Sequence, residues 1–520
     1  MALRLALIAL LALAVRLYLA LTSFCISGDG PEYLRMAREF AAGRPLGALG
    51  SVFSPLYPLL VAWLHPLVGD WELAGELVSV AWGTLSVVTI GALVREVFDD
   101  DAVALGAALL AAIHPELAEY AASVRTEAGF VCLMTGAAWL FVAGGRRRRL
   151  ACFVGAGVVG GLAYLYRAEG IGLLMVCEAA LLAGAVRARW GWRQAVLWAG
   201  ALAASFLAVG SPYLGYLRWA TGHWSVSREL NVAAASSVME LTRNRGPWLA
   251  LAGSGDVSLL APWLVDPWLY LRKIGRDSAM SVYYFSQAME PVLTVFLLAG
   301  LWTRGRTLWR RQRELFLLGL AGFYLVGFSL FNTGPRFMTH LIPYGFGWVV
   351  LGLGRASQWL EGVGRGWRSG LGRALVGTAV ALLLLPRTLW PLGYDQRGLR
   401  YAGREVARRA NGAAVALASS DARAAFYAGA RYEALPGDGR VDLCAWLCGR
   451  PQVAYLLLSS RDERRLGLGG KAACLSLLKR YPRYGNGRFD LFVVVGRGLA
   501  DRTGPARAGD RAPCAGASAH

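Results

Sequence analysis

Lysine is nearly absent from this chain of 520 residues, which carries it only at Lys273, Lys471 and Lys479. Charged residues make up 17% of the sequence, whereas soluble domains hold about a quarter. Hydrophobic residues make up 56%, so the composition excludes a disordered chain and argues against an ordinary soluble enzyme. The net charge of +20 comes almost entirely from arginine, in a sequence rich in alanine, glycine and leucine. This bias is typical of GC-rich coding and predicts no nucleic-acid partner.

Paired metal-ligand spacings and nucleotide-binding loops are also missing. None of the eight cysteines forms a C-x-x-C pair, so no zinc site is indicated. Cys444 and Cys448 lie four residues apart on one predicted helix and would need non-helical geometry to pair directly, although either could reach Cys474 in an oxidising compartment. Residues 392–500 contain no G-x-G-x-x-G or Walker-type loop. No cofactor is predicted with certainty, and a divalent metal stays open.

Long apolar runs are what the chain does have. A run of about 17 to 25 mostly apolar residues can cross a bilayer as a helix. The predicted spans are residues 5–22, 72–94, 102–114, 127–143, 150–166, 170–186, 194–213, 286–303, 314–331, 337–354 and 374–390. Because many spans follow the first, it is predicted to be an uncleaved helix and not a signal peptide. The expected fold class is an all-α polytopic membrane protein of about eleven transmembrane helices with large outer loops, plus a small C-terminal soluble α/β domain.

Arginine is distributed unevenly between the connections on the two sides of these spans. With the N-terminus in the cytoplasm, eighteen arginines fall in cytoplasmic stretches, including the runs 146–149 and 304–313. Only six fall in the short outer loops: Arg35, Arg38, Arg44, Arg125, Arg167 and Arg336. Cytoplasmic loops carry the excess of basic residues. The bias predicts a multi-pass protein of the plasma (inner) membrane with a cytoplasmic N-terminus and an extracytoplasmic C-terminal domain.

Three outer segments are too long to be simple turns. Residues 23–71 contain an amphipathic stretch from Pro31 to Ala42 and then a proline-punctuated run ending at Pro58. Residues 214–285 contain Pro262-Trp263 and Pro267-Trp268, which favour helices lying in the membrane interface. The third segment defines the predicted domains: a transmembrane domain over 1–391, an extracytoplasmic α/β domain over 392–500 and a disordered tail over 501–520. In the α/β domain, strands are expected at 413–418, 453–458 and 490–495, and helices at 400–410, 421–428 and 441–448.

Acidic residues on the outer rim are the candidates for chemistry, because a charge at membrane depth is costly. They are Asp29, Glu32, Glu116, Glu119, Glu127 and Glu169. Asp29 precedes Gly30-Pro31 and allows two interpretations. It fits a helix cap, or a general base that deprotonates an acceptor hydroxyl at the water–membrane boundary. Glu127 and Glu169 begin predicted helices, where an acid is also stabilised by the helix dipole.

Several short motifs resemble the C-type integral membrane glycosyltransferases, specifically bacterial relatives of protein O-mannosyltransferase and of the lipid A aminoarabinose transferase. The motifs are Asp29-Gly30-Pro31-Glu32-Tyr33 with the proline run to Pro58, His114-Pro115-Glu116 with Arg125-Thr126-Glu127, Tyr166-Arg167-Ala168-Glu169-Gly170, and Pro335-Arg336-Phe337 with Leu341-Ile342-Pro343. Together with the helix layout, the resemblance covers about residues 5–390. Two positions depart from the family: Gly30 stands where many relatives have a second acid, and Val52-Phe53-Ser54 stand where the aminoarabinose transferase has an acid–base pair.

The resemblance implies an inverting hexosyl- or pentosyltransferase that uses a polyprenyl-phosphate-linked sugar donor and an envelope lipid, glycan or protein acceptor. Membrane lipids are the other expected partners. It implies Asp29 as the catalytic base. The implied substrate-binding residues are Glu32, Tyr33, Arg125, Glu127, Arg167, Glu169, Arg336 and His340, with Arg167 and Arg336 holding the lipid phosphate. As lone histidines, His114 and His340 fit packing better than metal binding.

Two other classes of function stay open from the residues alone. A multi-pass transporter or flippase of envelope glycolipids would also have many helices and buried charges. Against it, the sequence has no evident inverted repeat, and large outer loops do not help alternating access. The third class is a non-catalytic assembly factor for envelope glycans. Transfer of sugar by the purified protein would separate the enzyme from both.

Overall fold

The computed structural model of the protein describes residues 1–242, 260–331, 333–363, 370–436, 442–467, 474–482 and 487–495. The predicted disordered tail, 501–520, lies outside these residues. The α-helices α1 to α23 are, in order, Ala2–Leu21, Gly30–Ala41, Pro45–Leu49, Leu56–Val68, Trp71–Phe98, Asp101–Ile113, Pro115–Ala121, Glu127–Arg147, Leu150–Tyr166, Ile171–Val186, Trp192–Thr221, Arg228–Thr242, Ala261–Val265, Pro267–Ala288, Pro291–Arg304, Gln312–Leu330, Pro335–Met338, Ile342–Val363, Leu371–Thr388, Arg397–Ala410, Ala422–Ala428, Leu443–Cys448 and Ser460–Arg465. The strands β1 to β5 are Ala416–Ser419, Arg431–Ala434, Val453–Ser459, Leu475–Pro482 and Arg488–Val494.

The predicted fold class is confirmed. Within the described residues, eight helices are long and apolar enough to cross a membrane, or ten if each of two bent pairs is one span. Leu150–Tyr166 is a shorter apolar helix at the position of another predicted span. One bend of 59° separates α6 from α7 at His114-Pro115, because a proline begins the second helix. The other, of 106°, separates α14 from α15, so the span predicted over 286–303 begins only at Pro291.

Local sequence fixes where several of these helices begin and end. The Asp70 carboxylate accepts from the N–H of Leu73 at 2.8 Å and caps α5. Asp100 caps α6 in the same way. The helix α4 ends at Gly69, which has a left-handed φ of 79°. Helices are present at Pro262 and Pro267 as α13 and α14, each with proline in its first turn; their predicted place in the membrane interface stays a prediction.

Small residues let the apolar helices approach closely. A Cβ at Gly157 of α9 would collide with the Leu202 carbonyl of α11, and a Cβ at Gly161 would meet the Phe206 carbonyl at 2.9 Å. A Cβ at Gly129 of α8 would collide with the Tyr166 ring at the end of α9. Close backbone approach of this kind stabilises helix pairs in membranes, where no water drives association. It also brings the start of α8 against the end of α9, where the candidate site lies.

The chain divides into two compact units. The first, the helical unit, comprises Met1–Ala20 and Tyr33–Trp390. The second, the sheet unit, comprises Leu21–Glu32 and Pro391–His520. The loop after α1 therefore folds with the C-terminal part of the chain, which its position in the sequence did not indicate.

The sheet unit is built on a five-stranded sheet of order β2-β1-β3-β5-β4. β1 pairs in parallel with β2 and β3, whereas β5 pairs antiparallel with β3 and β4. Along β3, Tyr455 and Leu457 pack in the core on one face with α20 and α21, while Leu456 and Leu458 pack on the other with α22. The three predicted strands are present as β1, β3 and β5. The two strands that the sequence did not predict, β2 and β4, are the edges of the sheet.

A disulfide in the sheet unit joins Cys444 of α22 to Cys474, with their Cα atoms 5.8 Å apart. Of the two cysteines that the sequence allowed as partners of Cys474, the structure selects Cys444.

Candidate active site

Arg167 lies between α9 and the 3-10 turn Ala168–Gly170, and its guanidinium is surrounded by carboxylates. Its Nη2 donates to Glu169 Oε1 at 2.7 Å, and its Nη1 lies 3.4 Å from Glu127 Oε1. Nη1 also donates to the hydroxyl of Thr126 at 3.3 Å. The side chain is only 7% exposed. Two of the predicted rim acids therefore converge on one buried arginine.

Arg336 joins the same group from α17. Its guanidinium contacts Oε1 of Glu127, so this carboxylate lies between Arg336 and Arg167. Arg336 is 31% exposed, whereas Glu127 is 5% exposed. The two arginines predicted to hold phosphate are thus brought together, one buried and one accessible.

Aromatic residues adjoin this charged group. The ring of Tyr33 on α2 lies 4.8 Å from Phe53 and 5.4 Å from Tyr57. The Tyr57 ring also lies edge to face with Tyr166, 6.1 Å away, and its hydroxyl donates to the Gly75 carbonyl at 2.9 Å. Burial raises the pKa of the Tyr33 phenol above its ordinary value, and the charges of Arg336 and Glu127 also act on it. Tyr33 is therefore a neutral hydroxyl beside the charged group.

Arg125 and His340, the other predicted binding residues of the helical unit, lie in more aromatic surroundings. The Arg125 guanidinium lies 4.8 Å from the centre of the Tyr120 ring, in a cation–π contact. His340 is buried among Phe130, Tyr324 and Phe328, with ring centres 4.9 to 5.4 Å away.

Asp29 and Glu32 belong to the sheet unit, where several contacts hold the segment that precedes Asp29. The N–H of Ile26 donates to the Tyr427 hydroxyl at 2.6 Å, and that of Phe24 donates to the Leu392 carbonyl at 2.8 Å. Cys25 is buried in the core of the unit. Asp29 itself is half-buried and immediately precedes α2, the position of a helix cap.

Gly30, which stands where many relatives in the resembled family have a second acid, has a structural reason. A Cβ at Gly30 would collide with the Ile26 side chain and lie 3.1 Å from the Ser27 hydroxyl. A second acid directly after Asp29 would therefore displace Ile26, whose N–H is bonded to Tyr427.

Glu229 is a member of the charged group that the sequence did not indicate. It lies in the first turn of α12, within the second large outer segment, and its Oε1 is 3.9 Å from Arg167 Nη2. Burial, and after it the charge of Glu169, raises the pKa of Glu229 to about 7. The helix dipole usually explains an acid in the first turn of a helix, so the position of Glu229 in the sequence did not indicate a site residue.

Glu116, another rim acid, lies in a different group. Arg387 near the end of α19 contacts Glu290 at 2.6 Å and Glu116 at 3.4 Å. His114 Nε2 lies 3.3 Å from the Met289 carbonyl oxygen, which accepts the hydrogen bond from the ring N–H. Only some of the rim acids therefore meet at Arg167.

Comparison with known proteins gives the charged group a context. Residues 53–216 match the model of the dolichyl-phosphate-mannose-protein mannosyltransferase family. The fold is similar to that of ArnT from Cupriavidus metallidurans bound to undecaprenyl phosphate, with 16% identity, a TM-score of 0.56, and coverage of 96% of this chain and 99% of that one. It is also similar to the Archaeoglobus fulgidus oligosaccharyltransferase in complex with Zn and sulfate, with 14% identity, a TM-score of 0.59, and coverage of 87% and 67%. Among curated proteins, none matches this chain.

The resemblance to C-type integral membrane glycosyltransferases is confirmed. The segment that matches the family model contains Arg125, Glu127, Arg167 and Glu169. Asp29 and Arg336 lie outside it. Within the residues that the structure describes, no group of three or more histidine, cysteine, aspartate or glutamate side chains is arranged to hold a metal ion.

Proposed function

We propose that this protein is an inverting glycosyltransferase that transfers a hexose or pentose from a polyprenyl-phosphate donor to an envelope lipid, glycan or protein at the outer face of the membrane. The observation that carries the proposal is the charged group of Arg167, Arg336, Glu127 and Glu169. Arg167, Glu127 and Glu169 are largely buried at the ends of apolar helices, where charges are costly and are kept for function, and Arg336 contacts Glu127 from a more exposed position. The names of the similar proteins, which refer to dolichyl-phosphate-mannose and undecaprenyl phosphate, support a lipid-phosphate donor.

The proposed reaction is a single displacement. Asp29 accepts the proton of the acceptor hydroxyl, whose oxygen forms a bond to the anomeric carbon. The bond between that carbon and the phosphate oxygen breaks, and the polyprenyl phosphate leaves with the electron pair. Attack opposite to the leaving phosphate inverts the anomeric configuration. The sequence supports this role for Asp29, which lies one helical turn before Tyr33.

Arg336 is our first choice for the phosphate contact. It is partly exposed, and its guanidinium contacts the Glu127 carboxylate. A guanidinium matches phosphate oxygens bidentately and stabilises the charge of the leaving group. Arg167, in contrast, is buried among three carboxylates. We propose that Arg167 fixes Glu127 and Glu169 and acts on the donor mainly through them.

The outward orientation of the active face rests on two features. The arginine bias puts the connections around residues 146–149 and 304–313 in the cytoplasm. The Cys444–Cys474 disulfide fits an oxidising compartment for the sheet unit. Cysteine-accessibility labelling tests the orientation: a cysteine introduced at Asp421 should react in intact cells, and one at Arg306 only after lysis. The opposite pattern would reverse the active face.

The function itself is tested with purified protein in vesicles and a polyprenyl-phosphate sugar. Transfer of the sugar to added envelope glycolipid, with release of polyprenyl phosphate, supports the proposal. Movement of the intact lipid-linked sugar across the membrane without transfer would instead indicate a transporter. Mass spectrometry of envelope glycolipids and glycoproteins from a deletion strain identifies the sugar and the acceptor.

A further inference from the structure

Two adjoining cavities lie at the arginine-rich end of the helical unit, where α8 and α10 end and α16 begins. Their volumes are about 510 and 540 Å³. Arg187, Arg189, Gln312 and Arg313 line both cavities and form their common wall. Arg146 and Arg148 complete the first cavity, and Arg310 and Arg311 complete the second. Among the described residues that line them, Glu314 is the one acid.

Few carboxylates balance these guanidiniums. Asp99 lies 2.9 Å from Arg146 and 3.5 Å from Arg313. Within the described residues, Arg148, Arg187 and Arg310 have no ion pair. Burial, and after it the charge of Arg313, lowers the pKa of Arg189. The cluster therefore favours an added anion.

The inner wall of the first cavity is apolar. The Phe141 ring lies 4.9 Å from Phe316 and 5.7 Å from Phe153, and all three rings line the cavity. Next to the lining residues, α10 carries Leu182 and Val186, which are 54% and 74% exposed. The rule that relates basic residues to membrane orientation requires only that they lie in the connections, and it does not require a cavity. A concave basic site beside an apolar helix face is complementary to an amphiphile, which has a charged headgroup and an apolar tail.

We propose that these two cavities bind the phosphodiester headgroup of an anionic membrane lipid, whose acyl chains lie along α10. Guanidiniums hold phosphate oxygens in pairs, and basic pockets between transmembrane helices bind lipid headgroups. This site uses the end of α8 that is remote from Glu127. The proposed lipid site is independent of the sugar-transfer chemistry. The proposal does not depend on which membrane leaflet this end of the helical unit faces.

The test measures lipid retention by the full chain. The protein is exchanged into nanodiscs that contain phosphatidylglycerol or phosphatidylcholine of the same acyl chains, and the bound lipid is measured by native mass spectrometry. The cavity variant is Arg148→Gln/Arg187→Gln. The control variant, Arg193→Gln/Arg306→Gln, removes two exposed arginines of the same end that line neither cavity. Thermal melting in phosphatidylcholine verifies that both variants fold.

The cavity variant should bind phosphatidylglycerol about 30-fold more weakly than the native chain, and the control variant less than about threefold more weakly. Phosphatidylcholine should not be retained. Equal losses in the two variants would mean that the attraction is a diffuse surface effect and would overturn the proposal, as would full retention by the cavity variant. Displacement of the lipid by an equal concentration of inorganic phosphate would show a site for free phosphate and would overturn the lipid assignment.

Discussion

Both ends of α8 carry charged side chains, but those at one end are buried and those at the other are exposed. At the N-terminal end, Glu127 is 5% exposed and is contacted by Arg167 and Arg336. At the C-terminal end, Arg146 and Arg147 are 46% and 49% exposed. Burial forces each charge to have a partner, so the first end has fixed geometry. Exposure tolerates an excess of one charge, so the second end keeps guanidiniums that are available to an added anion. Burial of the charged side chains, more than their residue type, separates the candidate site for chemistry from the proposed site for lipid binding.

The largest expected effect concerns Asp29, the proposed catalytic base. Asp29→Asn should lower the turnover by a factor of roughly 10² to 10⁴, because a general base is lost while a side chain of equal size still caps a helix. Turnover is measured with saturating polyprenyl-phosphate sugar, alongside a melting curve and donor affinity, both of which should stay near the native values.

Asp101→Asn is the matched control, since Asp101 is an exposed acid beside Arg95 at the arginine-rich end. It should keep the native rate. An Asp29→Asn enzyme that retains more than about a tenth of that rate would falsify the assignment of the base, and Glu32 or Glu127 would be the next candidate.

Arg167→Ala should destabilise the protein by about 3 to 5 kcal/mol, because it leaves Glu169 buried without its 2.7 Å partner and removes one of the two arginines that contact the buried Glu127. Arg187→Ala, at the exposed end, should change the stability by less than about 0.5 kcal/mol. Thermal melting in one detergent measures both. Similar melting temperatures for the two variants would contradict the contrast between the ends.

Arg336→Ala should weaken donor binding about 10- to 100-fold by removing charge-assisted hydrogen bonds to the phosphate. Arg336→Lys should restore part of the affinity, because lysine keeps the charge and loses the bidentate fork. Donor affinity is measured by titration with the lipid-linked sugar, with Arg306→Ala as the control. Unchanged affinity in Arg336→Ala would move the phosphate contact to Arg125 or to arginines of the 214–285 segment.

Tyr427→Phe should lower kcat about fivefold without changing donor affinity. The substitution removes the 2.6 Å hydrogen bond to the Ile26 N–H, which is worth about 1 kcal/mol and helps to hold the segment before Asp29. This prediction gives the sheet unit a role in positioning the proposed catalytic base. Tyr401→Phe, an exposed tyrosine of the same unit, is the control. Equal rates in the two variants would remove the positioning role.

Glu229→Gln should abolish a modest pH dependence of donor affinity. The raised pKa keeps Glu229 protonated above its ordinary pKa of 4.5, and as the pH rises through about 7 it gains a negative charge beside Arg167, Glu169, Glu127 and Arg336. That charge opposes the donor phosphate, so native affinity should fall about threefold between roughly pH 6 and 8. The donor is a phosphodiester and does not titrate in this range. A native pH profile in Glu229→Gln would show that another group titrates.

The sequence by itself determined the span positions and fold class, because the length of an apolar run is a local property that the bilayer selects. It also predicted Glu127, Arg167, Glu169 and Arg336 as candidate site residues, through short motifs at the ends of spans. Tertiary structure alone brought Glu229 to Arg167 and placed Ile26 against Tyr427, which is 401 residues away. Such contacts leave no periodic pattern in the sequence. The edge strands β2 and β4 were missed for a related reason: the exposed Arg431 and Arg480 protect an edge but hide the pattern of a strand.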